Sequence, residues 1–201
     1  MVSDTLARLA GRLAAVFFAA AGLALPVGSM AAEPPAELLA ALQRGGYALL
    51  VRHAQTEPGI GDPPGMRLDD CGTQRNLSAA GREQARAIGA AVRSRAIPVA
   101  AVRSSQWCRC LDTARLAFGG FAPVDAWPAL NSFFDDRSAE AGRTRELRAA
   151  LAAVPATSNV VWVTHQVNIT ALTGIVPGSG EIVLFRFNKD KNGEVIGRFK
   201  P

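Results

Sequence analysis

The chain has 201 residues, 49% of them hydrophobic, with 22 Lys+Arg against 17 Asp+Glu and a net charge of +5. That is enough apolar material for one domain with a proper core. The basic excess holds no cationic run and no aromatic-interleaved stretch, so a nucleic-acid surface is not expected; arginines gathered around a phosphate would leave the same balance.

The first 31 residues have the layout of a secretory signal peptide. Arg8 and Arg12 precede an apolar run from Leu13 to Leu25, Pro26 follows, and Ser29-Met30-Ala31 places small residues at a cleavage position. The run is shorter than the ~20 residues that span a bilayer, so cleavage is expected rather than a lasting anchor. The mature protein is then a single domain over residues 32–201, periplasmic or secreted. No cysteine lies near the cleavage position, which argues against a lipoprotein.

Pro34-Pro35 opens a short helix through about Gln43, with Leu38, Leu39 and Leu42 on one face. Tyr47 to Val51 reads as a buried strand, and it ends in Arg52-His53. A Gly- and Pro-rich loop, Pro58 to Asp70, leaves directly from that point and is expected to form part of a site's rim. Ser78 is the expected N-cap of a helix to about Arg95, with Ala85, Ile88, Gly89 and Val92 on its apolar face. Val99 to Val102 is a second buried strand, ending in Arg103-Ser104-Ser105, and a helix follows from Trp107 to Phe118. Pro123 to Leu130 reads as a third strand and Asn131 to Gly142 as a loop. A helix from Thr144 to Val154 leads to the strand Val160–Thr164, which ends in His165. Asn168 to Thr173 is a short helix. Val183–Phe187 and Val195–Phe199 close the chain, with Asn192-Gly193 as a tight hairpin turn between them. The alternation predicts an α/β fold: three layers, with a mostly parallel central sheet and helices on both faces.

Both histidines of the chain, His53 and His165, stand at strand ends. In open α/β sheets, ligands bind in the crevice at the carboxyl ends of strands. Arg52, Arg109 and the two imidazoles around one crevice would make an anion-seeking site. A neutral, oriented imidazole there could attack phosphorus.

The pattern resembles the histidine phosphatase superfamily, the group of phosphoglycerate mutases and acid phosphatases. Leu49-Leu50-Val51-Arg52-His53-Ala54 is similar to its first signature. Asn76-Leu77-Ser78 with Gly81, Ser104-Ser105 with Arg109, and Val163-Thr164-His165 follow in the family's order. The resemblance implies that His53 is the nucleophile and becomes a phosphohistidine. It also implies that Arg52, Arg109 and His165 hold the transferred phosphoryl group, and that no metal or other cofactor is needed. Thr56 and Gln166, beside the two histidine motifs, are expected to bind a small phosphorylated substrate.

The general acid departs from the pattern. Mutase-like members carry glutamate where this chain has Ser132, after Leu130-Asn131. Phytase-like members carry aspartate where it has Gln166. Asp135 and Asp136 are the nearest replacements, with a solvated turn as the other reading; Glu57, Asp69 and Asp70 in the rim loop are further candidates. Without an acid, phosphoramidates and aryl phosphates would be the preferred substrates. A phosphatase is the leading reading. A phosphomutase, or a non-catalytic phosphate-binding module of the same fold, is the alternative. Of the three cysteines, Cys71 is expected to pair with Cys108, with Cys110 as the alternative partner; three small buried side chains are the plainer reading.

Overall fold

The computed structural model describes residues 34–187 and 193–201. Pro35 leads into α1 (Ala36–Arg44), which buries Leu38, Ala41 and Leu42 at helical spacing. β1 (Ala48–Arg52) follows and is buried up to Val51. The succession continues with α2 (Ala79–Ser94), β2 (Val99–Ser104), α3 (Cys108–Phe118) and β3 (Val124–Ala126). Then come α4 (Glu140–Ala150), β4 (Asn159–Thr164), α5 (Gln166–Thr173), β5 (Ile182–Phe187) and β6 (Gly193–Phe199).

The strands form one sheet in the order β3-β2-β4-β1-β5-β6. β1 to β4 are mutually parallel where they pair, while β5 and β6 add antiparallel at one side. Both faces are covered, as their sequences require. Leu49, Val51, Val161 and Val163 pack on one side with Leu42, Ile88, Val92 and Phe118. The alternate residues Ala48, Leu50 and Trp162 pack on the other with Leu147, Leu151 and Ile169. Continuous apolar runs in β1 and β4 are what a doubly covered parallel sheet demands.

The register places the histidines. β1 pairs with β4 from Ala48↔Val160 to Arg52↔Thr164. One further step sets His53 opposite His165, and the ladder continues there with the His53 amide donating to the Thr164 carbonyl at 3.0 Å.

Two elements differ from expectation. The third strand covers only Val124–Ala126, and Pro128–Leu130 is a 3-10 turn. Proline has no amide for a strand ladder but suits the first position of a helical turn. The loop expected through Gly142 is shorter. Asp136 caps a 3-10 turn at Arg137–Ala139, and α4 begins at Glu140, four residues before the expected Thr144. The leader expected over residues 1–31, and Asn192 of the expected hairpin turn, lie outside the described residues.

α2 is drawn against the chain leaving β1. Ser78 caps it, its hydroxyl accepting from the Gly81 amide at 3.0 Å. A Cβ on Gly81 would lie 1.8 Å from the Gln55 carbonyl oxygen, two residues beyond His53. Gly81→Ala is therefore expected to destabilise the protein by about 1–3 kcal/mol or more. Gly142, exposed in α4 with nothing within 4 Å of its Cβ position, should behave oppositely, Gly142→Ala stabilising by roughly 0.4–1 kcal/mol. Urea unfolding midpoints of the two variants check both signs.

Candidate active site

The carboxyl ends of β1, β2 and β4 open onto a cleft of about 360 Å³ lined by Arg52, His53, Arg75, Arg109, Ser132, Arg137, His165 and Gln166, with Ile60, Phe134 and Val167 at its apolar parts. Among the described residues, four arginines line it and no Asp or Glu does.

His53 is buried, 5% exposed. Its Nδ1 lies 2.9 Å from the Ala54 carbonyl oxygen. A carbonyl only accepts, so Nδ1 carries the proton and Nε2 keeps its lone pair. Burial lowers the imidazole pKa to about 3, assisted by the cationic Arg109, Arg52 and Arg75 and opposed by the Ala54 carbonyl. The following residue is tied to α3: the Ala54 amide donates to Thr113 Oγ1 at 3.0 Å, and that hydroxyl donates to the Arg109 carbonyl at 2.7 Å.

His165 lies beside it, ring centroids 5.5 Å apart and planes at 68°. Its tautomer follows from three neighbours. The Asn131 side-chain oxygen accepts from the Gln106 amide at 2.9 Å, and the Asn131 amide nitrogen donates to Gln106 Oε1 at 2.8 Å, which fixes the flip. The Ser105 hydroxyl therefore spends its one hydrogen on Asn131 Oδ1 at 3.2 Å. It can then only accept from His165 Nε2, 2.9 Å away. Nε2 carries the proton, and Nδ1 is left as the acceptor. Burial again lowers the pKa well below the ordinary histidine value, with His53, Arg109, Arg52 and Arg143 adding to it.

The two arginines named from sequence are both here. Arg52 donates through Nη1 to the Pro177 carbonyl at 2.8 Å. Arg109 is 4% exposed and pairs with Asp62 at 2.6 Å. In each, the Nε–H is buried without an acceptor. Orphaned buried donors are rare and need an explanation. Two of them beside an imidazole lone pair describe a seat for an oxyanion.

Gln166 lines the cleft at the start of α5. Thr56 does not; its hydroxyl accepts from Arg75 Nη1 at 2.7 Å and so braces that guanidinium. Asp135 and Asp136 are exposed and outside the cleft lining. Asp136 accepts from the Ser138 amide and hydroxyl, which lower its pKa, so its carboxylate serves as a turn cap. Asp70 holds Arg67 and the Gly72 amide, and Asp69 pairs with Arg67. None of the carboxylates named as acids stands at the cleft wall. Ser132, in the position of the mutase glutamate, does.

A disulfide joins Cys71 to Cys108, and Cys110 is free and buried. Together with Gln74, whose Oε1 accepts from the Cys108 amide at 2.9 Å, the disulfide fastens the rim segment to the start of α3. The Cys110 thiol sits 3.5 Å from His165 Nε2, and burial raises its pKa to about 12. Among the described residues no group of three His, Cys, Asp or Glu could hold a metal ion.

Sequence reasoning did not single out Asp62, nor the Ser105–Asn131 link that orients His165. The available signal for Asp62 was a lone carboxylate among glycines and prolines in the loop that leaves the site.

A sequence model of the histidine phosphatase superfamily (branch 1) matches residues 48–134. No curated protein matches the chain in sequence. Solved structures match in fold. The protein histidine phosphatase SixA complexed with tungstate is 14% identical, with a TM-score of 0.58 over 77% of this chain and 97% of its own. A mycobacterial glucosyl-3-phosphoglycerate phosphatase with VO3 is 21% identical, with a TM-score of 0.56 over 77% and 98%. The alpha-ribazole phosphatase of Shigella flexneri is 16% identical, with a TM-score of 0.54 over 77% and 96%.

Proposed function

We propose, from the premise that this chain belongs to the histidine phosphatase superfamily, that it is a phosphatase hydrolysing phosphomonoesters through a phosphohistidine on His53. The observation that carries the reading is the bare Nε2 of His53 beside two buried guanidinium Nε–H groups that lack an acceptor. That two proteins of this fold hold tungstate and VO3, both oxyanions, supports it.

In the first step His53 Nε2 attacks phosphorus, the bond from phosphorus to the leaving oxygen breaks, and the leaving group departs with that electron pair. In the second, water attacks phosphorus, the P–N bond breaks and orthophosphate leaves. Arg52, Arg109 and His165 stabilise the charge on the phosphoryl oxygens. His165 does so once its Nδ1 has taken a proton, which a bound dianion favours. Neither step uses a metal ion or cofactor. The signal-peptide layout of residues 1–31 is the ground for proposing export, and so an envelope or extracellular substrate.

Among the described residues, the cleft wall offers the leaving oxygen no carboxylic acid. A positioned acid contributes ~10²–10⁴-fold when the leaving group is poor. Turnover of an aryl phosphate is thus expected to exceed that of an alkyl phosphate by at least ~10² in kcat/KM. Asp135→Asn and Asp136→Asn should leave both rates unchanged. Ser132→Glu, which places a carboxyl group at the wall, should raise the alkyl rate selectively. Phosphate release from p-nitrophenyl phosphate and glycerol phosphate, with and without a chelator, tests the proposal. No release from either substrate would refute a phosphatase, and loss of the alkyl rate alone in an aspartate variant would identify an acid in the rim.

A further inference from the structure

The loop between His53 and α2 sends one carboxylate inward. Gly61, at φ +68°, turns the chain, and Asp62 follows it. Asp62 Oδ1 accepts from Arg109 Nη1 at 2.6 Å and from the Arg75 amide at 3.0 Å. Oδ2 accepts from Arg109 Nη2 at 3.0 Å and from the Trp107 indole N–H at 3.0 Å. The two charged side chains are 5% and 6% exposed. The loop is braced from outside by Arg75, which donates through Nε to the Gly61 carbonyl at 2.7 Å and through Nη1 to the Gly59 carbonyl at 2.9 Å.

This arrangement turns both terminal nitrogens of Arg109 toward Asp62, and Nη1 also donates to the Arg75 carbonyl at 3.4 Å. The Nε–H, buried and without an acceptor, and the second hydrogen of Nη2 are what remain. The carboxylate has no spare capacity for acid chemistry. Burial alone would raise its pKa, but the hydrogen bonds from Arg109, the Arg75 amide and Trp107 outweigh that and hold it below the ordinary value.

We propose that Asp62 is a positioning residue: it locks the Arg109 guanidinium by its two terminal nitrogens so that the donors left over, the buried Nε–H and the second Nη2–H, are held in place for the transferred phosphoryl group. The inference rests on the phosphatase reading of the cleft. An opposite role, Asp62 as a plug that substrate displaces, conflicts with the other two donors. Expelling the carboxylate would strand the Trp107 indole N–H and the Arg75 amide, which have no other recorded acceptor. They mark a permanent seat. Arginine is a long side chain whose planar fork gains direction from a bidentate partner, and misplacement of a catalytic group by about 1 Å costs on the order of 10²-fold.

The test is a double-mutant cycle read in the single-turnover rate of His53 phosphorylation by an aryl phosphate. Asp62→Ala and Asp62→Asn are each expected to slow that rate by ~10²-fold. In an Arg109→Ala background either substitution should cost less than about threefold more. An equal loss in both backgrounds overturns the proposal, because Asp62 would then act independently of Arg109. So does an unslowed rate joined to tighter orthophosphate binding, the mark of a plug. Asp62→Asn, which keeps the side-chain shape, decides the matter where Asp62→Ala does not fold. Orthophosphate calorimetry on the unmodified protein, Asp62→Asn, Arg109→Ala and the Asp62→Asn/Arg109→Ala double variant separates this from the parent reading. If the unmodified protein never phosphorylates His53, the phosphatase reading falls. Asp62 is then judged by whether Asp62→Asn and Arg109→Ala weaken orthophosphate by the same factor singly and combined; an additive loss overturns it.

Discussion

His53→Ala is expected to abolish turnover and to leave no phosphate on the protein after incubation with labelled substrate. Neither His165 nor Cys110 can take over. His165 has its Nε2 proton committed to Ser105, and its remaining nitrogen is needed to hold the phosphoryl group. The Cys110 thiol, its pKa raised to about 12, supplies almost no thiolate near neutrality. Residual rates in a nucleophile knockout come from binding and charge stabilisation alone, and the loss in comparable covalent enzymes reaches ~10⁶. The pH dependence carries a second check on the same residue. A histidine of ordinary pKa would lose its lone pair as pH falls through about 6.5. His53 is lowered to about 3, so its Nε2 stays unprotonated far below that. After correction for the substrate's own ionisation, kcat/KM should show no acidic fall between about pH 7 and about pH 5 that belongs to the nucleophile. Label that survives an alkaline denaturing quench in His53→Ala would place the covalent step elsewhere.

Much of this arrangement is legible in the chain. The strand run before His53 and the one before His165 are both fully apolar, which only a doubly covered sheet accommodates, and each stops at a polar pair. What the runs cannot give is register. His53 and His165 meet because β1 and β4 are neighbours offset by one constant step from Ala48↔Val160 onward, and neighbour order in a sheet depends on the crossovers rather than on either strand. The expected third strand ran too long because apolar character in Trp127 to Leu130 outweighed the missing amide of Pro128. Asp62 escaped notice for a different reason. Whether a loop carboxylate faces solvent or a buried guanidinium is decided by tertiary approach, here by Arg75 and Trp107, and not by local spacing. A buried arginine does need a countercharge, so naming Arg109 as a cleft residue already implied that some carboxylate must follow it in. The acid is where sequence and structure meet differently. Ser132 occupies the cleft wall at the glutamate position, whereas Asp135 and Asp136 are exposed outside it, Asp136 capping the turn at Ser138.

Arg52→Ala is expected to lower turnover by ~10²–10³, the usual loss when one preorganised donor to a developing charge is removed. Arg52 is the last residue of β1, and its amide is held by the Glu181 carbonyl at 3.1 Å, so the backbone that carries His53 does not depend on its side chain. The recorded hydrogen bond from the guanidinium is that from Nη1 to the Pro177 carbonyl, and losing one such bond changes stability by about 1 kcal/mol. A folded variant with a collapsed rate is therefore the expected outcome. Arg52→Lys should recover little of it. A single ammonium on a flexible stem cannot satisfy the Pro177 carbonyl and present a second, fixed N–H to the phosphoryl oxygens, which the planar fork does. The loss should fall on kcat and kcat/KM alike, because the donor faces charge that grows in the transition state. If instead Arg52→Ala raises KM alone, Arg52 only gathers substrate, and the stabilisation assigned to its orphaned Nε–H belongs to Arg109 and His165.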